Sequence, residues 1–423
     1  LQYQGAASCA TAGCHQHTGA AAKSGCEYTT WAVQDPHAQA YAVLAGERSR
    51  RIVRNLKGLP NPRRARPEKE PRCLGCHVLP GFRFGQTRRR DRFAVSDGVG
   101  CEACHGPAEK WLHTHYRKSW AGEGPGFRRT KDLGVRAELC VTCHVGRKDL
   151  DVNHDLIAAG HPRLRFDFAA YLAVYPRHWS EAADRRDRPD FAARAWLLGK
   201  LVCAEAAADL LAHRAAQAIK NKAPWPEFSE YECAACHHGL KAESDRWRRG
   251  RPGSLPWGTW YFALLPRLSR QTRGGGFLKR ESLEGLERSM RAGLPREQDV
   301  LRKSKRVAAQ VRGWRAAVEK AGRLDPAAVR RLLASLAEDD RAVRAGWEEA
   351  TQLYLALAAL NPALADLDPD HRDRPGLSQA LRALGEELAR AFPKGGDSLF
   401  GSPSNFKPDR LVARLEEVRK RLK

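Results

Sequence analysis

Over residues 1–240 the apolar positions give no convincing β-type alternation and predict short helices and loops, with one exception. The exception runs from about Phe191 to Lys220, where an Ala- and Leu-rich stretch predicts one long helix, stopped by Pro224 and Pro226. Residues 241–276 break the pattern with Gly250, Pro252, Gly253, Pro256 and the Gly274–Gly276 run, and read as a linker. Trp247, Trp257, Trp260 and Tyr261 are expected to pack it onto the preceding domain. From about Phe277 helical signals recur. Asp325-Pro326 reads as an N-cap with proline at the first helical position. Leu353, Leu357 and Leu360 form an apolar stripe ending at Asn361-Pro362. Leu377, Leu381, Leu384 and Leu388, then Leu411, Leu415 and Val418, repeat the helical spacing. We expect four or five helices over residues 277–423, acting as a cap or an oligomerisation arm.

The cysteines change the picture of the first 240 residues. Cys73-Leu-Gly-Cys76-His77, Cys101-Glu-Ala-Cys104-His105, Cys140-Val-Thr-Cys143-His144 and Cys233-Ala-Ala-Cys236-His237 are strict Cys-x-x-Cys-His copies. Cys9-Ala-Thr-Ala-Gly-Cys14-His15, first in the chain, is a wider copy; the motifs are numbered in chain order. Composition alone predicts about 0.01 strict copies, so four are a signal. In a c-type haem motif two thiols bond the haem vinyls and the next imidazole coordinates iron. Zinc ribbons and redox dithiols also use paired cysteines, but neither requires histidine after every second cysteine. Five covalently attached haems c are therefore expected, held by Cys9, Cys14, Cys73, Cys76, Cys101, Cys104, Cys140, Cys143, Cys233 and Cys236. His15, His77, His105, His144 and His237 are the proximal ligands. Roughly one haem per 47 residues leaves too little chain for a separate core around each. The predicted fold is mainly α: a multihaem domain of short helices and loops wrapped around stacked haems (1–240), the linker (241–276), then an all-helical C-terminal region (277–423).

The second axial ligand decides between electron carriage and substrate binding. Met290 is the one methionine and lies far from the motifs, whereas ten further histidines allow bis-histidine ligation and low potentials. His37, opened by Asp35-Pro36 and flanked by Ala38 and Ala40, is the leading distal candidate. Of His113 and His115 one is expected to serve a haem, with His113 slightly favoured. His154 and His161 bracket a short helix broken by Gly160 and Pro162, and either is a candidate. His238 follows His237 and is placed to ligate an adjacent haem. His178 reads equally as a ligand, an open-site acid or a surface residue.

Composition adds limits. The formal net charge is +24, and ten propionates would reduce it to about +14. The remainder favours an acidic redox partner or an anionic surface. Nucleic-acid binding is not expected, since no recognition motif accompanies the charge. No stretch reaches the ~18 apolar residues of a membrane helix. The chain starts at Leu1, which predicts a removed secretory leader and no lipidated cysteine. With covalent haem, this places the chain in a periplasm or outside the cell. Cys26 and Cys203 remain, either as a disulfide or as buried thiols.

Tyr28-Thr-Thr-Trp31, Asp35-Pro-His37-Ala, Gly98-Val-Gly-Cys-Glu-Ala-Cys-His-Gly-Pro107 and Asn153-His-Asp with Gly-His161-Pro carry a resemblance. On these, residues 8–240 resemble the cytochrome c-554 family, the tetrahaem cytochromes of ammonia oxidisers, related in haem packing to hydroxylamine oxidoreductase. The Cys-His-His at Cys236–His238 and the wide Cys9–Cys14 spacing are similar to features of small sulfate-reducer tetrahaem cytochromes. The resemblance implies closely stacked haem pairs passing single electrons, and a distal role for His37. Five motifs and the helical extension depart from the family pattern. The leading expectation is an electron relay between redox partners. A haem enzyme acting on a small nitrogen or sulfur compound at an open iron, with Arg163, Arg165 or His178 delivering protons, is the alternative. A third reading is a subunit of a homo-oligomer or larger cytochrome assembly.

Overall fold

The computed structural model describes residues 1–17, 25–61, 64–79, 93–233, 236–237, 255–368, 376–392, 403 and 405–422. Among them there is no β-strand; two isolated bridges, Arg147 with Leu150 and Tyr231 with Trp257, are the extent of sheet-like pairing. The fold is mainly α, as the sequence pattern predicts.

The chain forms two compact units. The first, Leu1–His161 with Tyr171–Ala183, holds four of the five haem motifs. Its helices are short: α1 (Glu27–Gln34), α2 (Glu47–Lys57), α3 (Pro71–His77), α4 (Cys101–His105), α5 (Leu133–His144) and α6 (His154–Ala158). They start on ordinary signals. Asp132 accepts from Gly134 N–H at 2.8 Å to cap α5, and Asn153 accepts from Leu156 N–H at 3.2 Å to cap α6. The apolar clusters here are small. Leu44, Leu74, Val78, Leu79 and Ala103 form one, and Ile52, Leu156 and Ala159 another.

Two further helices, α7 (Phe168–Val174) and α8 (Ala182–Asp187), lie where the chain passes from one unit to the other. The second unit, Pro162–Ala170 with Asp184–Lys423, is a helical assembly that also contains the fifth motif. Its centre is α9 (Phe191–Asn221). The predicted boundaries hold within a residue. This helix is buried on most sides and pairs with the helix Glu297–Glu319. Arg194 fastens that pair, donating to the Val318 and Ala321 carbonyls at 2.7 and 3.0 Å, and Arg312 meets Glu205 at 2.7 Å.

After α9 come α10 (Leu265–Gln271), α11 (Arg280–Met290), α12 (Glu297–Glu319), α13 (Pro326–Ala337), α14 (Asp340–Ala345), α15 (Trp347–Leu367), α16 (Leu377–Ala389) and α17 (Pro408–Leu422). From Phe277 onward this is seven described helices rather than four or five. The extra ones, α11 and the long α12, are rich in charge and bury narrow stripes such as Val300, Val307, Val311, Trp314 and Val318. Asp325 caps α13 as expected, accepting from Ala327 N–H at 3.1 Å. The stop at Asn361-Pro362 does not occur. Pro362 lies inside α15, because Ala363 and Leu364 continue the buried stripe and packing outweighs one missing N–H bond. The linker expected at 241–276 is described from residue 255. Trp257, Trp260 and Phe262 are buried there within the helical unit, while Trp247 lies outside the described residues. Among the described residues no helix is long and apolar enough to cross a membrane.

Candidate haem sites

Each strict motif of the first unit lies on a short helix, which puts the two thiols three residues apart on one face and the histidine at the helix end. The wider first motif reaches the same result by another route. Cys9 ends a 3-10 turn (Ala6–Cys9), and a second turn, closed by Cys14 N–H to Thr11 O at 2.9 Å, absorbs the additional residues.

Three motif histidines face a second imidazole. The ring centroids of His15 and His115 are 6.0 Å apart, those of His144 and His37 6.0 Å, and those of His105 and His178 6.3 Å. With metal–nitrogen bonds of about 2 Å and each centroid roughly 1.1 Å behind its nitrogen, two imidazoles on opposite faces of one iron have centroids ~6 Å apart. The residues present therefore fit axially ligated haem.

The outer ring nitrogens are anchored as haem ligation requires. His15 Nδ1 bonds Glu27 Oε2 at 3.0 Å, and His37 Nδ1 bonds Asp35 Oδ1 at 2.9 Å. His77 Nδ1 bonds the Ala40 carbonyl at 2.6 Å, and His115 Nδ1 the Trp111 carbonyl at 3.1 Å. In each case Nε2 is the nitrogen left for iron. His178 Nδ1 is buried with no hydrogen-bond partner among the described residues. Burial pushes His105 down to about 4, with His178 adding to it, and His144 likewise, with His37 adding to it. Both rings are thus neutral, the ligating form, at pH 7.

Asp35 organises the His37 corner. It is 3 % exposed and accepts from His37 N–H at 3.0 Å and from Tyr175 Oη at 2.5 Å. Burial would raise its carboxyl, but the bonds from His37 and Tyr175 hold it below the ordinary value. Gly98, at φ +62°, lets the segment leading into the third motif lie against this corner. A Cβ there would stand 2.7 Å from the His37 carbonyl, which instead accepts from Val99 N–H at 3.0 Å.

Glu102, inside the third motif, is the other organiser and carried no functional reading in the sequence. Its buried carboxylate accepts from Gln4 N–H at 2.9 Å, Gly5 N–H at 2.8 Å and Ala108 N–H at 2.6 Å. These bonds draw the first motif against the third, so that the Cys9 and Cys101 thiols are neighbours. The Cys76 and Cys143 thiols of the second and fourth motifs are likewise neighbours. Burial pushes the free thiols of Cys73 and Cys104 up to about 11 and that of Cys140 to about 12.

The preference for His113 does not match the geometry. Residues 108–115 wind as helical turns, with His115 N–H on Trp111 O at 3.0 Å, which leaves His113 exposed and turns His115 toward His15. His154 is half-buried at the start of α6, beside Asn153, whose Oδ1 accepts from Arg72 of α3 at 2.9 Å. His161 is half-buried and closes α6 through its N–H to Leu156 O at 3.0 Å. Cys26 and Cys203 are both buried as thiols.

The fifth motif stands apart. Cys236 and His237 are exposed, and Cys233 is half-buried. His238 lies outside the described residues, as does His371. Arg163 and Arg165, read from sequence as proton donors, both reach Cys233 Sγ, at 3.5 and 3.6 Å.

Residues 8–106 match the family described as cytochrome c554 and c-prime. Cytochrome c-554 of Nitrosomonas europaea is 35 % identical over 82 residues, 17 % of this chain and 34 % of that protein, so the match spans about a third of the curated relative. No solved structure matches the chain. The matched segment contains three motifs, His37 with its Asp35 anchor, and the Gly98 approach. Over residues 8–106 this mainly α chain, with its Cys-x-x-Cys-His motifs, resembles the c-type cytochromes of the cytochrome c-554 family.

Proposed function

We propose that the chain binds five haems c and relays single electrons between redox partners, in a periplasm or outside the cell. The observation that carries this reading is the facing of three motif histidines by a second imidazole at 6.0–6.3 Å. Each haem supplies one-electron exchange at iron; the chain fixes its ligands, its spacing and its charge environment. His115, His178 and His37 are the distal partners of His15, His105 and His144. His154 is our candidate for the second haem, supported by the Arg72–Asn153 bond that joins its helix to the second motif.

The neighbouring thiols support two close haem pairs, first with third and second with fourth. Pairs so placed exchange electrons without any step of substrate binding. Ligation by two imidazoles, without methionine sulfur, favours low potentials. The net charge of +24 suits a partner that is acidic where it docks.

The test is EPR on the oxidised, fully matured protein, with haems counted by intact mass. Five haems, all low-spin, are expected. A high-spin haem that binds nitrite or cyanide would replace the relay by the enzyme reading. His115→Ala should convert one haem to high spin, whereas His113→Ala should leave the spectrum unchanged.

A further inference from the structure

We propose that Arg163, Arg165 and Glu348 form a buried charge site that sets the potential of the haem attached at Cys233; this rests on the five-haem reading. The site begins in a short extended segment of the helical unit, residues 162–167. Tyr261 Oη donates to the Leu164 carbonyl at 3.1 Å, and Trp260 Nε1 donates to the Phe166 carbonyl at 2.9 Å. Lys200 Nζ holds Asp167 at 2.5 Å. In extended chain alternate side chains share a side, so pinning this segment sends Arg163 and Arg165 the same way.

That way is toward the fifth motif. Arg163 Nη1 donates to the Tyr231 carbonyl at 2.8 Å and reaches Cys233 Sγ at 3.5 Å. Arg165 Nη2 reaches the same sulfur at 3.6 Å, and its guanidinium lies 5.0 Å over the Trp347 ring. Behind them stands Glu348, at the start of α15. Its Oε1 is 3.2 Å from Arg163 Nη1 and 3.9 Å from Arg165 Nε, and Trp260 N–H donates to its Oε2 at 3.3 Å. Both arginine side chains are 12 % exposed and the glutamate 4 %.

The order of charges gives the effect its sign. Two fixed cations touch the sulfur that would carry the porphyrin, and the carboxylate is held against those cations. Desolvated charges act at full strength over such distances, whereas exposed ones are screened. Reduction adds an electron to the haem, so the nearer cations favour the reduced form and raise the potential, and Glu348 opposes them.

The experiment is a spectroelectrochemical titration of the full-length holoprotein, with the haem count taken by intact mass. Arg165→Gln and Arg163→Gln should each lower one of five one-electron steps at least tenfold in the reduction equilibrium, about 59 mV. Glu348→Gln should raise the same step, and Arg163→Lys should restore most of the wild-type value. A role confined to holding the chain would not move one step in opposite directions. Should Arg163→Gln fail to mature, Arg165→Gln and Glu348→Gln carry the same test. Five haems with no step displaced in folded variants would overturn the proposal alone. Four haems, with Cys233 and Cys236 open to alkylation, would overturn the five-haem reading and this proposal with it.

Discussion

In the first unit no described helix exceeds the 12 residues of α5, whereas α9 and α12 of the second run to 31 and 23 residues. The first unit's own apolar clusters are correspondingly slight, and its order comes from buried carboxylates and carbonyls gripping backbone and imidazole. The second unit fills its centre with Trp196, Trp314, Leu201, Leu211 and Leu333 and needs no cofactor to do so. The difference teaches where the hydrophobic free energy of each comes from. On the five-haem reading, porphyrin would complete the first unit's interior, and its side chains serve for positioning. A helical bundle makes its interior from side chains, and carries its one haem motif with Cys236 and His237 exposed.

The largest expected effects separate the two sources. Glu102→Ala strands several buried N–H groups, so it should cost about 3–5 kcal/mol in the first unit. Hydrogen exchange would show the loss around Gln4–Ala6 and Ala108 with α9 and α12 still protected. Equal loss in both units would break the contrast. Trp314→Ala is the reverse case. Its side chain is fully buried between helices, and truncation should cost ~3–5 kcal/mol in the second unit. On the five-haem reading, the Soret spectrum of the first unit should stay unchanged while helicity melts earlier.

Smaller effects sharpen the comparison at the ligands. Glu27→Gln and Asp35→Asn weaken the anionic partners of His15 and His37, and each should raise one haem potential by roughly 60 mV in a redox titration. No matching shift is expected from Glu205→Gln, which breaks only a helix-pairing contact with Arg312. The smallest effect concerns acid. Burial would raise Asp190, but Arg188, the Leu324 N–H and Arg194 hold it below the ordinary value. A carboxyl depressed in the folded chain stabilises above its unfolded value of about 3.9, and that share is lost as pH falls through the folded value. Urea titrations of the second unit should show stability declining below about pH 4, with Asp190→Asn flattening the decline.

Much of the fold was legible where local physics decides. The long apolar helix at Phe191 and the Asp325-Pro326 start appear as read, because caps and stripes act over a few residues. Pro362 misled, since its local penalty is outweighed by Ala363 and Leu364 packing several turns of neighbouring helix. Charged α12 was overlooked because its buried stripe is narrow. At the haem sites the asymmetry is sharper. Cysteine and histidine spacing announces attachment. The imidazoles that face the motif histidines lie 73–107 residues from them in sequence, as His178 does from His105 and His37 from His144. His115 could have been preferred to His113 had the run from Ala108 been read as a helical turn.

Residue order alone sets an imidazole directly after the second cysteine of every motif, because that pattern is written within five or seven consecutive residues. It also determined that methionine is not available as a general partner. Only folding brings His115, His178 and His37 within 6.0–6.3 Å of His15, His105 and His144, joins the first motif to the third through Glu102, and puts the fifth motif with the helical unit. The physical reason is range: covalent and helical constraints act along the chain, whereas axial partners and buried charges meet through packing between segments far apart in it.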